Sequence, residues 1–229
     1  MSSTPRVLLI LTSHAQLGTT GRTTGLWLEE LAVPYRIFAA AGAKVELASP
    51  RGGAAPVDPK SEGSEAPEVR AFVADAAAKE ALATTRKLAD VREDFDAVFV
   101  VGGHGVMWDL PSDPDLARVV AATWERGGVV AAVCHGPAAL VGARVDGQPL
   151  VAGRRVTGFT NEEERAAELH EVVPFALETR LRELGGRFEG GPMWKPQIVR
   201  DGRLVTGQNP ASSGGVAREV LAALGGAAG

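Results

Sequence analysis

The sequence predicts a doubly wound α/β sandwich with a mostly parallel central sheet and helices on both faces. Three observations predict it. Short continuous apolar runs, VLLILTS (7–13), DAVFVV (96–101) and VVAAVC (129–134), carry the two-sided hydrophobicity of strands buried in a parallel sheet. Segments with helical spacing alternate with them, as in βαβ units. The later two runs stop abruptly, one at Gly102-Gly103-His104-Gly105 and the other at Cys134-His135-Gly136. With no internal repeat and no linker, residues 1–229 are expected to form one domain.

Each element follows in order. After the first strand, TGLWLEELAVPYRIFAAAG sets Leu28, Leu31, Tyr35 and Phe38 at helical spacing, with Gly42 as C-cap. KVELASP (44–50) is the second strand, and the Gly-, Pro- and Ser-rich stretch 51–67 reads as a surface excursion. Alanine-rich 69–91 is expected to be helical at least in part. In 111–128, Asp113 or Ser112 caps a helix with Pro114 in its first turn. GPAALVGAR starts another helix, with Pro137 where a missing N–H costs least. Residues 147–159 suggest a hairpin or strand pair, and 174–186 an amphipathic helix. QIVRDGRLVTG (197–207) is a hairpin about Asp201-Gly202, and PASSGGVAREVLAALGG is a final helix.

Composition narrows the function. With 45% hydrophobic residues, the chain can bury a core without disulfides or metal. A net charge of −4 and no basic stripe argue against a nucleic-acid partner. VLLILTS is too short to span a bilayer, so no membrane partner is expected. One cysteine cannot form an intramolecular disulfide or a cysteine-cluster zinc site, and it suits a reducing compartment. A soluble cytoplasmic protein is the expectation.

In open α/β sheets, ligands bind at the carboxyl ends of strands. If the strands ending at Gly103 and Cys134 are neighbours, a glycine loop and the only thiol share one crevice. A free cysteine in a strand is ordinarily a small buried packing residue. At an abrupt strand-to-helix turn, however, a residue between small neighbours (Ala132 and Gly136) is a nucleophile elbow. The helix start near Pro137 is expected to lower the thiol pKa. The N–H of His135 and one from the Gly102–Gly103 turn are expected to form an oxyanion hole. His104 in the glycine loop is a candidate pocket residue, as are Trp108 and Trp194, although tryptophans are more often core. His14 ends the first strand near the expected mouth, and His170 reads as surface. No close ligand spacing supports a metal.

GGHGVMWDLP (102–111), AAVCHGPA (131–138), TGLWLEELAVPY (24–35), VTGFTNEEE (156–164) and GRLVTGQNPASS (202–213) occur in the order of one known family. They resemble the ThiJ/PfpI superfamily, and within it the branch of cofactor-free glyoxalase III enzymes and heat-shock chaperones. The resemblance implies the flavodoxin-like, class I glutamine amidotransferase-like fold and a homodimer. It also implies Cys134 as nucleophile, His135 as its neighbouring base, and Glu30, five residues after Gly25, as a buried acid. A third acidic partner falls in FTNEEE, where spacing favours Glu164 among Glu162, Glu163 and Glu164. Glu162 reads as a solvated helix start. Adjacent residues on a tight turn often point apart, so Glu30 is expected nearer the sulfur than His135.

The activity so implied is glutathione-independent, cofactor-free conversion of methylglyoxal, or a related small dicarbonyl, to a 2-hydroxy acid in methylglyoxal detoxification. Such a lyase would proceed through a cysteine hemithioacetal. The rival expectations are a stress-response chaperone or holdase with an exposed apolar surface, and a deglycase or cysteine peptidase-like hydrolase using the same thiol.

Overall fold

The computed structural model describes residues 4–226; the outermost residues of the expected 1–229 domain lie outside the described ones. Strands β1 (Arg6–Ile10), β2 (Lys44–Ser49), β3 (Arg86–Lys87), β4 (Ala97–Val100) and β5 (Val129–Val133) are parallel neighbours in one sheet. Two short ribbons follow, β6 (Arg144–Val145) with β7 (Gln148–Pro149), and β8 (Arg155–Val156) with β9 (Arg187–Phe188). The hairpin β10 (Ile198–Asp201) and β11 (Leu204–Gly207) completes the sheet, whose order is β10-β11-β5-β4-β1-β2-β3. Among the seven described strands of this sheet, only β10 runs antiparallel. The sandwich fold expected from the sequence is therefore the one observed.

Val7, Leu8, Leu9 and Ile10 of β1, like all five residues of β5, are buried on both faces, so their sequences show no alternation. The helices are α1 (Leu28–Ala40), α2 (Pro59–Glu62), α3 (Pro67–Ala74), α4 (Ala76–Ala83), α5 (Val106–Asp109), α6 (Pro114–Glu125), α7 (Asn161–Ala166), α8 (Leu177–Glu183) and α9 (Ser213–Gly226). Asp113, rather than Ser112, caps α6 by accepting the Leu116 N–H at 2.8 Å. Among the described residues, no helix is long and apolar enough to cross a membrane.

Several local expectations change. Residues 69–91 do not form one helix: Asp75 ends α3 and caps α4 through the N–H groups of Ala77 and Ala78, and the edge strand β3 follows. The 51–67 excursion is not wholly superficial. It carries α2, capped by buried Asp58, and Ser61 Oγ accepts the Leu28 N–H that starts α1. After Cys134 the chain makes a 3-10 turn, Gly136–Val141, instead of an α-helix. The hairpin expected within 147–159 lies slightly earlier, about Asp146-Gly147, because both residues take positive φ there.

Candidate active site

β4 and β5 are paired, with Val100 opposite Ala132, so the glycine loop and Cys134 leave the sheet side by side. Cys134 has φ 59°, left-handed for a residue with a side chain. Its N–H donates to the Gly207 carbonyl at 2.9 Å and its carbonyl accepts the Phe159 N–H at 2.8 Å. These bonds on both sides hold the strained residue in place. Gly136 is small for a reason: a Cβ there would stand 2.5 Å from the Val100 carbonyl oxygen.

Glu30, in the first turn of α1, is fully buried, and its Oε2 accepts the Gly102 N–H at 3.0 Å. Its carboxyl also interacts with the Cys134 thiol. Burial pushes the Glu30 pKa up to about 8, against the opposing pull of the Cys134 and Gly102 hydrogen bonds, so the carboxyl is mainly neutral at pH 7. Its Oε1 has no hydrogen-bond partner among the described residues.

His135 does not point away from its neighbour. Its Nδ1 lies 3.3 Å from Cys134 Sγ, and its Nε2 lies 2.8 Å from Glu164 Oε2. The other oxygen of Glu164 lies 2.9 Å from His104 Nε2. Burial, then the neighbouring His104, hold the His135 pKa below its ordinary value, against the pull of Glu164. Burial alone would raise the Glu164 pKa, but the two imidazoles overcome it and keep the carboxyl well below the usual range. An ionised Glu164 takes the Nε2–H of His135 and leaves the Nδ1 lone pair facing the thiol.

The expected low thiol pKa is overturned. Burial pushes Cys134 well up, ionised Glu30 would push it further, and only the His135 backbone N–H works the other way. Cys134 is 4% exposed, and a six-residue 3-10 turn has too small a dipole to offset that burial. At neutral pH the resting group is a thiol with a base beside it.

A cavity of about 610 Å³ opens over the sulfur, and Gly103, His104, Cys134, His135 and Trp194 are among the residues that line it. Trp27, Phe159 and Asp58 line it too. Trp108 does not; it stacks on His14 at 5.2 Å, which takes both residues away from the wall. His170 is exposed. The Gly102 N–H is occupied by Glu30, so Gly103 supplies the turn's remaining amide beside the cavity. The ligand-type atoms of His104, His135 and Glu164 lie within 4.8 Å of one another and could hold a metal ion, a convergence that sequence spacing did not disclose. In the hydrogen-bonded arrangement both Nε2 atoms carry protons, so a metal would have to displace two bonds to Glu164.

Of the three consecutive glutamates, Glu162 is exposed, Glu164 meets the imidazoles, and Glu163 is buried in a capping box with Thr160. Glu163 also accepts the Trp194 N–H at 3.0 Å and the Asn209 amide at 2.9 Å. Its signal was available: Thr160 and Glu163 have capping-box spacing at a helix start.

Glyoxalase 3 of Candida albicans is 32% identical to this chain, over 96% of it and 98% of the relative. The glutathione-independent glyoxalase HSP31 of Saccharomyces cerevisiae is 31% identical over 96% and 98%. The crystal structure of glyoxalase III from Candida albicans superposes with TM-score 0.88 at 31% identity, covering 96% of this chain and 97% of the other. Rapid Encystment Protein 24 kDa of Francisella tularensis superposes with TM-score 0.93 at 35% identity, over 96% and 99%. With its fold, its Cys134 elbow and a match to the family over residues 24–223, the chain belongs to the DJ-1/PfpI family.

Proposed function

We propose that this protein is a glutathione-independent glyoxalase that converts a 2-oxoaldehyde to the 2-hydroxy acid through a covalent adduct on Cys134. The observation that carries the reading is the line Cys134–His135–Glu164, with His135 Nδ1 3.3 Å from the sulfur and Glu164 2.8 Å from Nε2. Glu30, a carboxyl held mainly neutral by burial, packs against Gly102 close to Cys134. Of the yeast relatives, one is named a glyoxalase and the other a glutathione-independent glyoxalase.

In this mechanism the Cys134 S–H proton passes to His135 Nδ1 as sulfur bonds to the aldehyde carbon. Glu30 donates its proton to the aldehyde oxygen, giving a hemithioacetal. The resulting Glu30 carboxylate removes the hydrogen on that carbon. The electron pair moves into a carbon–carbon double bond while the ketone oxygen takes the proton held on His135, giving an enediol and a neutral imidazole. Glu30 then protonates the second carbon and takes back the proton of the first carbon's hydroxyl. The product is a thioester of the 2-hydroxy acid. Water, deprotonated by His135 with Glu164 holding the imidazolium, releases the acid and restores the thiol. One carbon is oxidised and its neighbour reduced, so no external redox partner is needed. The Gly103 amide is the donor for oxyanions on the cavity side.

Among the described residues, Val73 and Trp194 are the large hydrophobics left exposed, and two isolated side chains do not support a broad holdase surface. Incubation with methylglyoxal without glutathione tests the proposal. Lactate from the wild type and none from Cys134→Ala is the expected result; equal lactate from both would sink it.

A further inference from the structure

A three-carbon oxoaldehyde fills little of the space above Cys134. The cavity measures about 610 Å³, within the roughly 300–1,000 Å³ that houses drug-sized ligands. Besides His104, His135 and the thiol, its polar lining comes from Arg22, Thr23, Asp58 and Lys60, while Trp27, Phe159 and Trp194 give it an aromatic wall.

Trp194 departs from ordinary packing in two ways. It is 49% exposed, although large hydrophobics elsewhere are nearly all covered. Its φ is 60°, a conformation that disfavours a bulky side chain. The strain is held by a specific contact: the Trp194 N–H donates to Oε1 of Glu163, which also takes the Asn209 amide, while Glu163 Oε2 is fixed by the N–H and Oγ1 of Thr160. A buried carboxylate with four donors thus presents one indole at the edge of the cavity. Its ring stands 5.7 Å from that of Phe159, and Phe159 in turn stands 4.3 Å from His135. The two rings form an aromatic surface leading from solvent to the base.

We propose that the site is built for 2-oxoaldehydes whose ketone carbon carries an aromatic ring, with that ring against Trp194 and Phe159 and the aldehyde carbon at Cys134 Sγ. This inference rests on the glyoxalase reading. For phenylglyoxal the balanced reaction is addition of one water to give mandelate: the aldehyde carbon becomes the carboxylate and the ketone carbon the carbinol. Burying a phenyl group in place of a methyl against two aromatic rings favours the larger substrate. Glu163 is a positioning residue that acts through Trp194.

The test is initial rates of mandelate and lactate formation from phenylglyoxal and methylglyoxal by the wild type, Trp194→Ala, Trp194→Phe, Glu163→Gln and Cys134→Ala. The wild type is expected to show kcat/KM at least roughly tenfold higher for phenylglyoxal, expressed mainly in KM. Trp194→Ala is expected to cut the phenylglyoxal-to-methylglyoxal ratio about tenfold, Trp194→Phe to retain most of it, and Glu163→Gln to lower it in the same direction. Trp194 is half-exposed, so its truncation does not endanger the core. A Cys134-dependent wild type that prefers methylglyoxal, or an unchanged ratio in Trp194→Ala, would overturn the inference while leaving the glyoxalase reading intact. Turnover of neither aldehyde would overturn both.

Discussion

Glu164 Oε2 lies 2.8 Å from His135 Nε2, although 29 residues separate them in sequence, and this contact decides which nitrogen of His135 faces the thiol. Gln in place of Glu164 could turn an amide N–H toward Nε2 and so favour the wrong tautomer. Glu164→Gln is therefore expected to lower kcat by roughly 10²–10⁴-fold, as loss of an orienting carboxylate does in other nucleophile–His–acid sites. KM should change little, because Glu164 does not line the cavity. Steady-state kinetics on an oxoaldehyde check this, and a kcat within twofold of wild type would remove Glu164 from the mechanism.

The pH dependence follows from two opposite shifts. In the proposed mechanism His135 must be neutral to accept the thiol proton, and its pKa lies below the ordinary value, so activity is expected to rise with pH on the acid side below about 6.5. In the same mechanism Glu30 must be protonated to donate, and it loses its proton at about 8. The kcat/KM profile should form a plateau between these limits and fall on the alkaline side. In Glu30→Gln, any residual activity should lack that alkaline limb. An identical limb in both proteins would assign it to another group.

The fold was legible because a central parallel strand leaves an unbroken apolar run, as in β1 and β5. What escaped was local. β3 has two exposed residues, Arg86 and Lys87, and two-residue edge strands have no periodicity to read. The site was partly legible: elbow spacing led to Cys134, and family resemblance led to Glu30 and Glu164. The electrostatics were not, because the thiol's burial depends on elements distant in sequence, among them the Phe159 loop and α1. Nor could adjacency show that His135 turns its ring back to the sulfur; that depends on Glu164 capturing its far nitrogen.

Glu30 should also write a pH signature into stability. Its folded pKa, about 8, lies above its unfolded value near 4.5. The contribution of the neutral carboxyl is thus fully present below about 4.5 and is lost as pH rises toward 8, because the unfolded chain releases the proton first. At about 1.4 kcal/mol per pKa unit, the loss is at most on the order of 5 kcal/mol. Glu30→Gln keeps the shape and an acceptor for Gly102 but does not ionise. Its Tm relative to wild type should therefore rise by several degrees between pH 5 and pH 8. A Tm difference that is flat across this range would mean that Glu30 is ionised in the folded protein.

Gly102 is where the backbone, Glu30 and Cys134 press together most closely. A Cβ there would run into the Glu30 carboxyl, stand 2.5 Å from the Val133 carbonyl oxygen and 2.9 Å from Cys134 Cβ. Two of these neighbours are fixed by the sheet and the elbow, so Glu30 is the one that must yield, and the Gly102 N–H it accepts would be misplaced. Gly102→Ala is expected to cost about 1–3 kcal/mol in stability, the range for overpacking a filled interior. It should also lower kcat by more than tenfold, because the proton donor moves. Gly63→Ala is the matched control, since a Cβ at Gly63 meets nothing within 4 Å and its φ is −83°; its stability should stay within about 0.5 kcal/mol of wild type. Chemical denaturation with parallel rate measurements separates the two effects. A Gly102→Ala protein with normal kcat would show that Glu30 can leave its observed position without consequence for the reaction, and the role assigned to its proton would fall.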